Sequence, residues 1–175
     1  MAQDLRVQSF SAALLPDVQD FSCGDDPWQV EVAQWIKGES KDNALERMAE
    51  GTEVWLYRNA GREVVGYGSL GKTEWRLPPP KGPWEVVSIV PYVGMQTRFQ
   101  GQPKDGPRDA RFAYQIMRDL VAKAGCQGTR ILGLFVDEDN KRAIKFYENV
   151  GFMSLSAGGK KHRRMYLYLR EPSVP

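Results

Sequence analysis

The chain's 175 residues suffice for one domain with its own core, and 42% hydrophobic with 26% charged residues is ordinary globular composition. A net charge of +2 is too small to argue for nucleic acid by itself, and no apolar run reaches the length of a membrane span. Cys23, Cys126 and the single histidine, His162, lack the number and spacing of a Cys/His zinc centre, so no metal is expected. The N-terminus has no basic-then-apolar signal pattern, and the cysteine usage points to a reduced, cytoplasmic setting.

Leu5 to Phe10 alternates apolar and polar residues, which predicts a first strand. Asp26 then reads as an N-cap with Pro27 at the first helical position, where its missing N–H costs nothing. Trp28, Val32, Trp35 and Ile36 follow as one apolar stripe, and a second, weaker helix is expected over 40–50. Residues 52–58 predict a strand from their β-branched and aromatic content. They turn at Asn59-Ala-Gly61 into a returning strand over 62–70, where Gly66 and Gly68 suggest close approach by a neighbour. The proline-rich run 77–83 is neither helix nor central strand and is expected as a stiff surface loop.

Trp84 to Met95 reads as a long, buried strand, with Pro91 removing one ladder donor and calling for a bulge or splayed pairing. A polar loop, 98–108, separates it from a helix over 108–124 whose apolar face is Phe112, Ile116, Leu120, Val121 and Ala124, closed by Gly125. A strand over 129–136 comes next. Asp139 or Asn140 then caps a last helix in which Ala143, Ile144, Tyr147 and Val150 share a face, with Gly151 past its end. A final hairpin pairs 152–156 with 164–169 across the basic loop 157–163, and 171–175 is a tail. Strands in meander followed by βαβ crossovers imply one α/β domain over 1–175, with a mixed sheet and helices on both faces.

The loop Arg98-Phe-Gln-Gly-Gln-Pro-Lys-Asp-Gly-Pro-Arg108 ends where a helical pattern begins. Such a loop aims backbone N–H groups and a positive helix end at an anion, which favours a phosphate. One crossover later stands Asn140-x-x-Ala143-x-x-x-Tyr147-x-x-x-Gly151-Phe152. Together these resemble the GNAT superfamily of acyl-CoA-dependent N-acetyltransferases. Its pyrophosphate signature is a Gln or Arg, two variable residues, Gly, one variable residue, then Gly or Ala. Arg98 to Gly101 match it, Pro103 departs from it, and 104–107 read as an insertion. Phe21 to Gly24 and Val65 to Leu70 also resemble the branch that includes toxin-type acetyltransferases.

The resemblance implies a mostly antiparallel sheet of about seven strands with a splayed central pair. It implies acetyl-CoA as acyl donor and an amine acceptor, a small molecule or a protein. The donor's contacts then fall to Val93, Gly94 and Met95 at a strand edge, to Arg98, Gln100, Gly101, Gln102, Gly106 and Arg108 in the loop, and to Asn140 and Tyr147. Pro103 and Pro107 offer no N–H, and Arg108 or Arg111 supplies compensating positive charge. Tyr147 is the expected acid for the departing thiolate. Glu85 is the first choice of base, ahead of Glu74 and Glu53, and a water chain is the alternative. The expected activity is N-acetylation of a primary amine by direct attack in a ternary complex. The alternatives are a toxin-type enzyme acting on aminoacyl-tRNA, with the basic cluster 160–164 meeting phosphates, and a non-catalytic module that binds coenzyme A or a partner protein. No membrane association is expected, and the oligomer is a monomer or homodimer.

Overall fold

The structure is a computed structural model describing residues 4–76, 82–155 and 161–169. Most of the proline-rich run, most of the basic loop and the tail lie outside the described residues. The chain forms two compact units, Met1–Ser69 with Tyr92–Leu120, and Leu70–Pro91 with Val121–Pro175; one strand and one helix run through both. Among the described helices none is long and apolar enough to cross a membrane.

The first unit opens with β1 (Arg6–Ser9), antiparallel to β2 (Glu53–Arg58). Between them lie a 3-10 helix over Ala12–Val18, which the sequence pattern did not announce, and two α-helices. Helix α1 (Pro27–Lys37) starts as expected: Asp26 and Gln29 form a reciprocal capping box, Pro27 opens the helix, and Gly38 closes it in the left-handed region. Helix α2 (Ala44–Ala49) is shorter than expected. Its cap is Asn43, whose side chain accepts from the Leu45 and Glu46 N–H groups, so the preceding residues 40–43 stay outside the helix.

Strand β3 (Val64–Arg76) runs six residues beyond the expected end at Leu70. Its first half belongs to the first unit, where Gly66 to Gly68 pair antiparallel with β5 (Val93–Met95). The pleat sends successive side chains to opposite faces, and each face receives a helix. On one, Tyr67 stacks against Trp35 of α1 and donates its hydroxyl to the Val32 carbonyl at 2.7 Å. On the other, a Cβ at Gly68 would lie 2.8 Å from Leu120, which explains the glycine: only hydrogen lets α3 (Phe112–Cys126) approach that closely. The Tyr57 hydroxyl donates to Asp119 at 2.7 Å and ties α3 to β2.

In the second unit the rest of β3 pairs antiparallel with β4 (Trp84–Val90), from Gly71 opposite Ile89 to Arg76 opposite Trp84. β4 pairs parallel with β6 (Ile131–Asp137), which pairs antiparallel with β8 (His162–Tyr168), and the two-residue β7 (Met153–Ser154) closes the sheet. Trp75, Val87, Ile131 and Tyr166 form a small core on one face. Helix α4 (Lys141–Val150) lies between β6 and β7 in the chain and buries Ile144 and Tyr147.

The architecture is the expected mixed, mostly antiparallel sheet, with eight strands rather than about seven. The extra strand comes from Pro91. The run 84–95 was expected as one strand with an irregularity, but it divides into β4 and β5, which pair different stretches of β3. Nor is β4 wholly buried: Trp84 and Val86 are 61% and 54% exposed. Helix α3 starts at Phe112, not Arg108. Residues Arg108–Ala110 form a 3-10 turn instead, and Gly125 lies inside a helix that ends at Cys126.

Candidate active site

Where β4 ends, Ser69 sets the geometry. Fully buried on β3, its hydroxyl donates to the Tyr92 carbonyl at 2.6 Å and accepts from the Tyr92 N–H at 3.0 Å. Both backbone groups of Tyr92 are thus bonded to a side chain rather than to a strand, which separates β5 from β4 without stranding a buried polar group. Among the described residues β5 pairs only with β3. At Met95 the carbonyl accepts from the Gln100 side chain at 3.5 Å and the backbone N–H meets the Cys23 thiol, so the open part of this strand edge, the kind that takes an extended amide-bearing ligand, lies towards Val93. In the second unit, β6 continues past its pairing with β4, which stops at Leu134; Phe135 to Asp137 pair with β8 alone.

The loop after β5 bonds largely to itself. The Gln100 side chain turns back to the Cys23 carbonyl at 2.7 Å, holding the 21–24 segment. Arg98 meets Glu63 at 3.2 Å and lies over the Phe99 ring. The Gln102 carbonyl accepts the Phe112 N–H at 2.8 Å, so the first amide of α3 is already bonded. Gly101 adopts φ +77°, and a Cβ there would meet nothing within 4 Å, so backbone conformation rather than crowding explains the glycine. Gly106 is likewise left-handed at φ +103°, and the Arg108 side chain is exposed without a partner among the described residues.

One side chain in this segment stands apart. Arg111, immediately before α3, has its Nε buried with no hydrogen-bond partner. An unmet buried donor costs about 1–3 kcal/mol, more when charged. Such an atom suits a site where an anion supplies the acceptor, and guanidinium is the side chain best matched to phosphate. The residues present therefore fit a phosphate-bearing donor, through a group placed outside the loop's glycine signature.

In α4, the Asn140 side chain accepts from the Ala143 N–H at 3.0 Å, and Gly151 at φ +112° ends the helix. Asn140, expected as a donor contact, thus serves as the cap, as the sequence pattern also required. Tyr147 is buried among Phe146 and Phe152 rings at 5.3 and 5.7 Å, and desolvation pushes its phenol up to about 12.

Glu85 lies on β4. It is opposite Trp75 near the start of β4, with its nearest cation, Arg130, at 3.9 Å. Five residues of strand, roughly 17 Å, separate it from Val90, where β4 ends. Glu74 and Glu53 are exposed strand positions.

No family model matches the chain, and no curated protein matches it by sequence. Solved structures do match it in three dimensions. An acetyltransferase of the GNAT family from Staphylococcus aureus Mu50 superposes with a TM-score of 0.60 at 15% identity, over 95% of this chain and 99% of that one. The chain has the GNAT acetyltransferase fold. Two further structures with this GNAT fold concern the AtaT toxin. A mutant of it bound to acetyl-CoA and the C-terminus of the antitoxin AtaR gives a TM-score of 0.65 at 15% identity, covering 95% and 94% of the two chains. AtaT complexed with acetyl-methionyl-tRNAfMet gives 0.57 at 20% identity, covering 94% and 95%.

Sequence reasoning missed three features of the site. The Ser69–Tyr92 pair joins residues 23 positions apart and leaves no local pattern. Trp35 stacks on Tyr92 at 4.7 Å as well as on Tyr67, where it read only as helix core. The preference for Arg111 over Arg108 depended on where α3 begins, and Pro107 with Asp109 read as a helix opening where a 3-10 turn forms instead.

Proposed function

We propose that this chain is an acetyl-CoA-dependent N-acetyltransferase acting on a primary amine by direct attack. The observation that carries the reading is Tyr147, a buried phenol on a capped helix of a GNAT fold. The thioester supplies an activated acyl carbon. As the amine nitrogen bonds to it and the carbon–sulfur bond breaks, Tyr147 delivers its proton to the leaving sulfur and is restored from solvent. The amine's own proton leaves through water.

The proton transfer is balanced by environment. In water a phenol near 10 is a weaker acid than a thiol near 8.5, so the step would run uphill. Burial raises both groups, because each is neutral when protonated. The chain contains its own example: the buried Cys23 thiol is pushed up to about 12 by desolvation, level with Tyr147. A thiolate formed away from water is likewise a stronger base than one in solution.

The open part of the β5 edge supports this strand as the seat of the pantetheine amides. The test is release of free thiol from acetyl-CoA in the presence of a panel of amines. Turnover with any of them, lost in Tyr147→Phe, supports the reading; binding without turnover across the panel favours a non-catalytic module. A second reading is acetylation of aminoacyl-tRNA, supported by the fold shared with AtaT, a toxin solved with acetyl-methionyl-tRNAfMet. Growth arrest on expression, abolished by Tyr147→Phe, favours it.

A further inference from the structure

A phosphate loop works through backbone N–H groups, and half of those between Phe99 and Phe112 are already used. The N–H groups of Phe99, Gln100, Gln102, Ala110, Arg111 and Phe112 donate to carbonyls of the same segment. Pro103 and Pro107 have none. The side chains that flank the glycine signature are also engaged, Arg98 by Glu63 and Gln100 by the Cys23 carbonyl. Gly101, Lys104, Asp105, Gly106, Arg108 and Asp109 keep N–H groups with no partner among the described residues, and beside them stands a cation at the foot of a fifteen-residue helix, with a buried nitrogen that no group among the described residues satisfies.

We infer that the Arg111 guanidinium is the principal side-chain anchor of the donor's pyrophosphate in this chain, beside the loop's remaining backbone N–H groups. The inference rests on the acyl-CoA reading above. Arg111 supplies what the loop has lost: several N–H donors in a planar fork that matches a phosphate's oxygens, together with full positive charge. Pro103 and Pro107 are then tolerated because the guanidinium replaces the donors missing at those two positions. The dipole of α3 adds to the same end of the site. Arg108 has the same charge but is exposed and turned into a separate 3-10 turn, so desolvation does not strengthen its contacts as it does those of Arg111.

The experiment is isothermal titration of wild type, Arg111→Ala, Arg111→Lys and Arg108→Ala with coenzyme A and dephospho-coenzyme A. Ligand-observed NMR with pantetheine, which carries no phosphate, and thermal unfolding of each ligand-free variant accompany it. Arg111→Ala should weaken both nucleotide-bearing ligands by about tenfold or more, the scale of a lost charge-assisted contact. It should leave pantetheine binding unchanged and should not lower the unfolding temperature, because the nitrogen removed had no partner. Arg111→Lys should recover part of the loss, and Arg108→Ala should have the smaller effect. Equal affinity for coenzyme A in wild type and Arg111→Ala overturns the inference while leaving the acyl-CoA reading intact. So does a loss that extends equally to pantetheine with a lower unfolding temperature, which marks a structural role. A wild-type protein that binds none of the three ligands overturns the acyl-CoA reading and this inference with it.

Discussion

The loop 98–111 and helix α4 carry the two halves of the family resemblance, and they are built by opposite means. In α4 the matched Asn140, Tyr147 and Gly151 each have a local physical task. Asn140 caps the first turn, Gly151 ends the last, and Tyr147 lies one turn from Ile144 on the buried face. The loop has one matched residue with such a task, Gly101 in its left-handed conformation, while Gln100 and Arg98 turn away to other partners. A helical motif is enforced by its own caps and periodicity. A loop motif is enforced only by its ligand contacts, so its chemistry can pass to a nearby side chain once another donor is available.

The largest test of this contrast is Tyr147→Phe. It removes one hydroxyl and keeps the buried ring, so thiol release should fall about 10²-fold or more, the scale of general-acid assistance. Acetyl-CoA affinity, measured by calorimetry, should hold within about twofold if the phenol acts only on the leaving group. A parallel loss of affinity would instead make Tyr147 a binding residue.

Gly101→Ala probes the loop. A side chain has room, but φ +77° costs an alanine roughly 1–2 kcal/mol. Unfolding temperature should drop accordingly, with coenzyme A affinity changed less than in Arg111→Ala. The reverse order would return the phosphate to the backbone. Asn140→Ala probes the helix and should cost about 1 kcal/mol by chemical denaturation, the usual value of a lost N-cap.

The smallest effect appears only in alkali. Burial raises Cys23 from 9.0 and Tyr147 from 10.0, each to about 12. Each holds its proton more tightly folded than unfolded, so ionisation favours the unfolded chain. Stability is therefore undiminished below pH 9 and falls as pH rises from 9 towards 12. Tyr147→Phe should flatten that fall above pH 10. An unchanged slope would mean the phenol is not desolvated.

How much of this was legible beforehand follows the same division. The caps Asp26, Asn140 and Gly151 and the stripes of α1, α3 and α4 are local, and the sequence pattern located them. The extension of β3 to Arg76 was missed because Lys72, Thr73 and Glu74 are polar on an exposed stretch, which looks like a loop until β4 pairs with it. Pro91 signalled a break, but the two strands it makes are defined by Ser69, 23 residues away from Tyr92. In the candidate site, Tyr147 was singled out by spacing. Arg111 was not singled out, because the start of α3 is fixed by a bond from Phe112 back to Gln102 across the inserted loop. Glu85 was chosen by its strand, and it lies opposite Trp75 near the start of β4.

The central claim is that the chain uses acetyl-CoA, and calorimetric titration of the full chain with acetyl-CoA tests it most directly. The account predicts one saturable site with affinity on the order of micromolar, weakened as salt rises because a cation holds the phosphates. Absence of binding up to high micromolar acetyl-CoA would contradict it.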